Sequence, residues 1–391
     1  MMLMGSLGSF GYYSAVAVYK SCQQILQDTF WTSSKREGDS LQGKLFDTYS
    51  TNVADSKGHS LVIDTLPPID DVKIPKYPVV LCHGLSGFDR LILIPSVKKL
   101  LTLLQLSVKE KSSDLFMETA DDTNSIWALD YWLGVQTFLE SKGCAVITAK
   151  VPSFGSIEER AEVLNKFIAD GVKKLDQEHR GKFKLNSEGK IKVNLIAHSM
   201  GGLDCRYLIS KIENKEYDVK SLTTIATPHH GSEMADYVVE KFNSFKETAN
   251  LSDMPLFLPP AFYQLTTYHM KHFNNIVPND SNVSYFSYGS YFYPKWYNVF
   301  YPSWNIIYNK SNGEPNDGLV STKSSRWGQY LGSLDDIDHL DIINWRNKLN
   351  IDVIMGLDRN CFRNKNVQPQ HKIDILHFYL TITDMLARKG L

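Results

Sequence analysis

Uninterrupted apolar runs recur along this chain, separated by stretches whose apolar positions fall three and four residues apart. Tyr77–Cys82 (YPVVLC), Cys144–Lys150 (CAVITAK), Ile191–Ala197 (IKVNLIA), Leu222–Thr227 (LTTIAT) and Val283–Tyr288 (VSYFSY) are of the first kind. A short apolar run with turn formers at its ends is what a strand covered on both faces requires. Ser156–Leu175 sets Ala161, Val163, Leu164, Phe167 and Ile168 among charges at helical spacing, and the stretch from Ser199 to Lys211 also reads as a helix. Strands alternating with helices predict an α/β fold, with a mostly parallel central sheet and helices on both faces.

The pattern divides the chain unevenly. Residues 1–74 read as an N-terminal extension, with polar stretches such as Ser33–Gly43 and one short strand pattern at Leu61–Leu66. Residues 75–391 read as one domain. Residues 1–19 are uncharged, yet Gly and Ser dilute them below the roughly 20 apolar residues that span a bilayer. They also lack the cationic start of a secretory signal. This segment stays open between a tail, an interfacial segment and a targeting or tethering element. Ile92–Asn124 reads as an insertion. About residues 242–272, Leu251, Met254–Pro260 and Phe262 form a Pro-punctuated apolar insertion, expected to be a lid or cap. It suits either a mobile lid at a lipid interface or a fixed cover. The aromatic-rich stretch Tyr285–Tyr308 suits a membrane boundary or an acyl tunnel wall, and equally core packing under a loop.

Charge and composition narrow the chemistry. A formal net charge of −1 over 391 residues gives no basic field, so no nucleic-acid partner is expected. The five cysteines, at 22, 82, 144, 205 and 361, have no C-x-x-C spacing, which argues against a disulfide framework or a zinc site. No cofactor is expected.

The strongest local signal is Ala197-His198-Ser199-Met200-Gly201, which has the form A-x-S-x-G between a strand and a helix. A nucleophile elbow needs small residues two positions either side of the serine, because strand and helix pack closely around a strained turn. Ala197 and Gly201 meet that need, and Gly202 adds room. Ser199 is therefore the candidate nucleophile of an α/β-hydrolase fold. A developing alkoxide needs two amide donors. Met200, following the nucleophile, supplies one; Leu85, in the His83-Gly84-Leu85 turn after the first core strand, is the candidate for the other. His83 is expected to order that loop rather than to transfer protons. In this fold the order is Ser, then acid, then His. Downstream histidines stand at 229, 230, 269, 272, 339, 371 and 377. His339, in Asp338-His339-Leu340-Asp341, is the candidate base, and Asp317, in Asn316-Asp317-Gly318-Leu319-Val320, the candidate acid. His229 and His230 are expected to shape the loop after a central strand.

Six ordered blocks, HGLSGFD (83–89), DYWLGVQTFLESKGCAVITAKV (130–151), KVNLIAHSMGG (192–202), ATPHHGSEMADY (226–237), NDGLV (316–320) and DHLD (338–341), resemble the bacterial true lipases of the Pseudomonas/Burkholderia type. The stretches YFSYG, PKWYNVF and ITDMLARKG resemble the mitochondrial triacylglycerol lipases of yeast. The resemblance implies Ser199, Asp317 and His339 as a triad, Leu85 and Met200 as oxyanion donors, a triacylglycerol or diacylglycerol substrate met at a lipid droplet or membrane interface, and mitochondrial residence. It leaves open a phospholipase or acyltransferase using the same triad, or a non-catalytic lipid-binding protein on this scaffold. The bacterial enzymes hold a calcium ion partly through the position of Asp341 and through an aspartate before the catalytic acid. Tyr291–Pro315 has no Asp here, only Glu314. Hard cations need several oxygen ligands, so no calcium site is expected, and the bacterial disulfide has no plausible pair. Oligomeric state is not legible.

Overall fold

The computed structural model describes residues 62–85, 90–92, 128–179, 183, 185–248, 258–295, 298, 300–344 and 373–391. The extension before residue 62, most of the insertion after Ile92, and Leu251 and Met254–Phe257 of the expected lid lie outside these residues. In chain order the strands are β1 Val62–Ile63, β2 Val79–Cys82, β3 Arg90–Ile92, β4 Ala128–Asp130, β5 Val146–Thr148, β6 Ile191–His198, β7 Tyr217–Ile225, β8 Ser284–Tyr291 and β9 Gln329–Asp335. The helices are α1 Val135–Ser141, α2 Ile157–His179, α3 Gly201–Lys211, α4 Glu233–Thr248, α5 Pro260–Gln264, α6 Thr267–Ile276, α7 Tyr301–Lys310 and α8 Ile375–Arg388.

Seven strands form one sheet in the order β1-β9-β8-β7-β6-β2-β5, every neighbouring pair parallel. Alternation along the central strands explains the uninterrupted apolar runs. Val79, Leu81 and Ile196 face one side, where they meet Val135 and Leu139 of α1 and Phe378, Tyr379, Ile382 and Leu386 of α8. Val80, Cys82, Leu195 and Ala197 face the other, against Ala161, Leu164 and Ile168 of α2 and Cys205, Leu208 and Ile209 of α3. Both faces are dry, so both strand phases must be apolar. Cys82, Cys144 and Cys205 are buried free thiols that pack as small hydrophobes.

The strands expected at 77–82, 144–150, 191–197, 222–227 and 283–288 all appear, with shifted ends; β7 begins five residues earlier, at Tyr217. Two placements differ from the sequence reading. Val62–Ile63, inside the expected extension, pairs with Ser333–Leu334 of β9 and so forms an edge of the main sheet. Gln329–Asp335 also joins the sheet, although QYLGSLD lacks an apolar run; its first residues are partly exposed and only its second half is covered. Among the described residues no helix is long and apolar enough to cross a membrane.

Candidate active site

The interior strand β6 ends at His198, and α3 starts at Gly201. Ser199 lies between them with φ 56°, a left-handed conformation that costs a non-glycine residue about 1–3 kcal/mol and persists only where its surroundings enforce it. Here they do. The Ser199 amide donates to Ile225 O at 3.0 Å, and the Thr227 hydroxyl donates to Ser199 O at 2.7 Å. Close packing dictates the glycines. A Cβ on Gly201 would stand 2.6 Å from His83 O, and one on Gly84 would stand 2.6 Å from Ser199 Cβ. The turn after β2 is thus pressed against the elbow, which is what an oxyanion loop requires.

Ser199, His339 and Asp317 come together from three separate elements. Ser199 Oγ lies 3.0 Å from His339 Nε2, and His339 Nδ1 lies 2.8 Å from Asp317 Oδ2. Asp317 can only accept here, so Nδ1 carries the proton and Nε2 is free to take one from the serine hydroxyl. Asp317 is fully buried, and each of its other contacts comes from a donor: Oδ1 accepts from Leu319 N at 3.0 Å and Val320 N at 2.8 Å, and Oδ2 accepts from Ser290 Oγ at 3.0 Å. The His339 amide donates to Asp317 O at 3.0 Å, which locks the two loops after β8 and β9 to each other.

Met200 follows Ser199 directly, and Leu85 follows Gly84, whose backbone lies against Ser199, with the Leu85 side chain packed on the cluster that contains Met200. Among the described residues neither amide donates to a protein acceptor. Two such donors beside a nucleophile can stabilise an oxyanion.

The surrounding histidines divide by environment. His83 is buried in the turn after β2, where its ring nitrogens meet backbone: Nδ1 lies 3.1 Å from Gly84 O, and Nε2 accepts from Val151 N at 3.1 Å. His198 packs on His339 at 4.5 Å between ring centroids, and burial holds its pKa well below the usual histidine range. His229 is buried beneath the loop after β7, with Nε2 2.9 Å from Thr224 Oγ1 and its ring stacked on Trp327. Burial, and then the Arg206 guanidinium, push its pKa far down, so it stays neutral. The neighbouring His230 amide donates to Ser324 Oγ at 3.2 Å, and its ring centroid lies 6.1 Å from that of Trp327. Asp341 is buried, with Oδ2 accepting from Asp338 N at 3.4 Å. Among the described residues no cluster of three His, Cys, Asp or Glu is arranged to hold a metal. Of the aromatic-rich stretch, Phe292, Phe300 and Trp304 form a buried cluster with Leu319 and Leu340, directly beneath the Asp317 and His339 loops. Those three rings are core packing.

Four residues not singled out by sequence complete the arrangement: Ser290 on the acid, Thr227 on the elbow, Tyr131, whose hydroxyl accepts from Gly84 N at 2.9 Å, and Arg160. Arg160, fully buried in α2, donates through Nε and Nη2 to Asp204 Oδ2 at 2.9 and 2.7 Å and through Nη2 to His83 O and Gly84 O at 3.0 and 3.2 Å.

Residues 153–255 match the PGAP1-like alpha/beta domain family. The chain is 51% identical to triacylglycerol lipase 2 of Saccharomyces cerevisiae over 86% of this chain and 99% of that protein. It is 28% identical to a triacylglycerol lipase of Vibrio cholerae over 69% of this chain and 80% of that protein. The crystal structure of a Staphylococcus hyicus lipase aligns over 82% of this chain and 98% of that one, at 18% identity and a TM-score of 0.47. With half of the aligned residues identical across nearly the whole of that yeast relative, this chain belongs to the triacylglycerol lipase family and is a carboxylic ester hydrolase of the α/β-hydrolase fold.

Proposed function

We propose that the chain hydrolyses triacylglycerols and diacylglycerols at a lipid interface, with Ser199 as nucleophile, His339 as general base and acid, and Asp317 as the orienting carboxylate. The observation that carries this reading is the unbroken line from Ser199 Oγ through His339 to Asp317, at 3.0 and 2.8 Å. Ser199 Oγ attacks the ester carbonyl while His339 Nε2 takes its proton. The carbonyl oxygen gains charge and is met by the Leu85 and Met200 amides. His339 then passes the proton to the departing alcohol, leaving an acyl-Ser199 ester. Water repeats the cycle and releases the fatty acid. The family supports the acylglycerol substrate.

Residues about 242–272 belong to this proposal as a cap over the acyl site. In its described part, Phe262 of α5 stacks on Phe154 of the loop after β5, with ring centroids 6.3 Å apart. Gln264 accepts from Ile157 N and donates to Glu158 at the start of α2, at 2.6 and 2.7 Å. Residence in the mitochondrion is proposed with it, from the resemblance to yeast enzymes; fractionation of the tagged chain elsewhere overturns that part.

Purified protein should hydrolyse tri- and diacylglycerol emulsions and lose at least about 10⁴-fold in kcat as Ser199→Ala, with folding retained. A fluorophosphonate should label Ser199. Absence of labelling overturns the mechanism in favour of a lipid-binding scaffold. Exclusive action on phospholipid emulsions overturns the substrate class. Activity is expected to survive excess chelator; loss restored by calcium contradicts the absence of a metal role.

A further inference from the structure

Fixing a peptide carbonyl fixes the following amide, because in a trans peptide C=O and N–H point in opposite directions. The peptide that matters here joins Gly84 to Leu85. Its carbonyl is gripped by two groups, His83 Nδ1 at 3.1 Å and Arg160 Nη2 at 3.2 Å. The amide just before it, Gly84 N–H, donates to Tyr131 Oη at 2.9 Å.

The direction of each bond follows from what its atoms can do. A backbone amide only donates, so His83 Nε2, which receives Val151 N–H, holds a lone pair. In the neutral ring the proton therefore sits on Nδ1 and donates to Gly84 O. Tyr131 Oη accepts from Gly84 N and lies 2.7 Å from His198 Nδ1, so its hydroxyl is held from both sides. Both holding residues are buried: His83 is 1% exposed and Tyr131 3%, with their ring centroids 5.3 Å apart.

We infer that His83 and Tyr131 are positioning residues for ester hydrolysis: together they grip both sides of Gly84 and so aim the Leu85 N–H at the oxyanion. The inference rests on the reading of Leu85 as an oxyanion donor. His83 transfers no proton to substrate. Its imidazole bridges two backbone segments, the loop after β2 and the loop after β5, and the tautomer is set by the second in order to serve the first. Tyr131 prevents rotation about the other end of Gly84, a residue kept without a side chain by its closeness to Ser199 Cβ. An amide aimed away by a fraction of an ångström no longer matches the alkoxide, and misplacements of about 1 Å cost on the order of 10²-fold in rate.

The two ring nitrogens of His83 can be tested separately. In His83→Asn the amide nitrogen falls near the position of Nδ1 and can still donate to Gly84 O. In His83→Gln the amide reaches the position of Nε2, can still accept from Val151 N, and leaves Gly84 O without its second donor. Rates are measured per active site titrated with a fluorophosphonate, so that any misfolded fraction drops out. Binding of an alkyl trifluoromethyl ketone, whose hemiketal oxyanion occupies the hole, is measured beside them. The Gln variant should lose about 10- to 100-fold in kcat with KM unchanged, and lose affinity for the ketone in parallel. The Asn variant should recover about fivefold or more over Gln. Tyr131→Phe should show the same kcat and ketone losses and serves as the second variant if the Gln protein does not fold. Equal losses in Asn and Gln, or fewer titratable sites with normal kcat per site, overturn the inference. Wild-type protein that neither labels nor binds the ketone sinks the underlying hydrolase reading instead. Wild type that does both, with Gln and Phe variants matching it, sinks this inference alone.

Discussion

Asp317 accepts four contacts while wholly buried: two backbone amides on Oδ1, and a serine hydroxyl and an imidazole N–H on Oδ2. An asparagine there can keep its oxygen toward Leu319 N and Val320 N, which leaves its NH2 facing His339 Nδ1. Two donors cannot pair, so the imidazole must move its proton to Nε2 and lose its ability to accept from Ser199. Asp317→Asn should therefore fold and lose about 10⁴-fold in kcat. A steady-state assay beside a thermal melt checks this; retained activity would mean that another carboxylate orients the base. Gly201 offers a steric counterpart. A methyl at that position meets the backbone carbonyl of His83, which cannot swing aside without displacing the oxyanion loop. Gly201→Ala should lower stability by about 1–3 kcal/mol and reduce kcat more than it raises KM.

At the scale of elements, α2 and α3 are joined by a buried ion pair, Arg160–Asp204, with side chains 0% and 1% exposed. Burial outweighs the attraction of Arg160 and pushes the Asp204 carboxyl up to about 6. Its folded pKa is thus above its unfolded one, so its contribution to stability is greatest below the ordinary carboxylate range and declines as pH rises through about 6. The pair is therefore better understood as holding the His83–Gly84 carbonyls in register than as a source of stability. Arg160→Met alone should cost about 3–5 kcal/mol by stranding Asp204, and Arg160→Met with Asp204→Leu should recover much of it; urea melts at pH 7.5 decide. Arg160 was legible in principle: it sits inside the apolar stripe of Ile157, Ala161, Leu164 and Ile168, where a charge is out of place. The elbow was legible because its steric demand is local, with Ala197, Gly201 and Gly202 crowded around Ser199. Asp317 and His339 were read from their order along the chain and from the family resemblance rather than from any local steric demand, since their meeting depends on loops from different strands. Tyr131 and Ser290 left no local signal, because what they touch lies 47 and 27 positions away. β9 was hidden for a different reason: partly exposed at its start, it carries Gln, Tyr, Gly and Ser where a central strand carries Val and Ile.

Across the whole molecule, the last helix is part of the core. Phe378, Tyr379, Ile382 and Leu386 of α8 are at most 1% exposed and cover the sheet beside Val79 and Leu81. Tyr379 also donates to Ile342 O at 3.1 Å, three residues past His339, and meets Trp132 edge-on at 5.8 Å. At about 1.5–3 kcal/mol for each buried side chain, these four represent on the order of 6–12 kcal/mol, as much as a typical domain's entire margin of about 5–15 kcal/mol. Removing residues 373–391 should abolish cooperative unfolding as followed by near-ultraviolet circular dichroism. A sharp melt in the shortened protein would show that α8 is dispensable.

The pairing of β1 with β9 has a consequence for biosynthesis. Val62 finds its neighbour at Ser333, so an emerging polypeptide carries a bare sheet margin through most of its translation. Contacts this distant along the chain form slowly, and unmated strands invite association with other nascent proteins. Ribosome-bound fragments ending before residue 329 are thus expected to be protease-sensitive clients of holdase chaperones, released only when the far side of the sheet arrives.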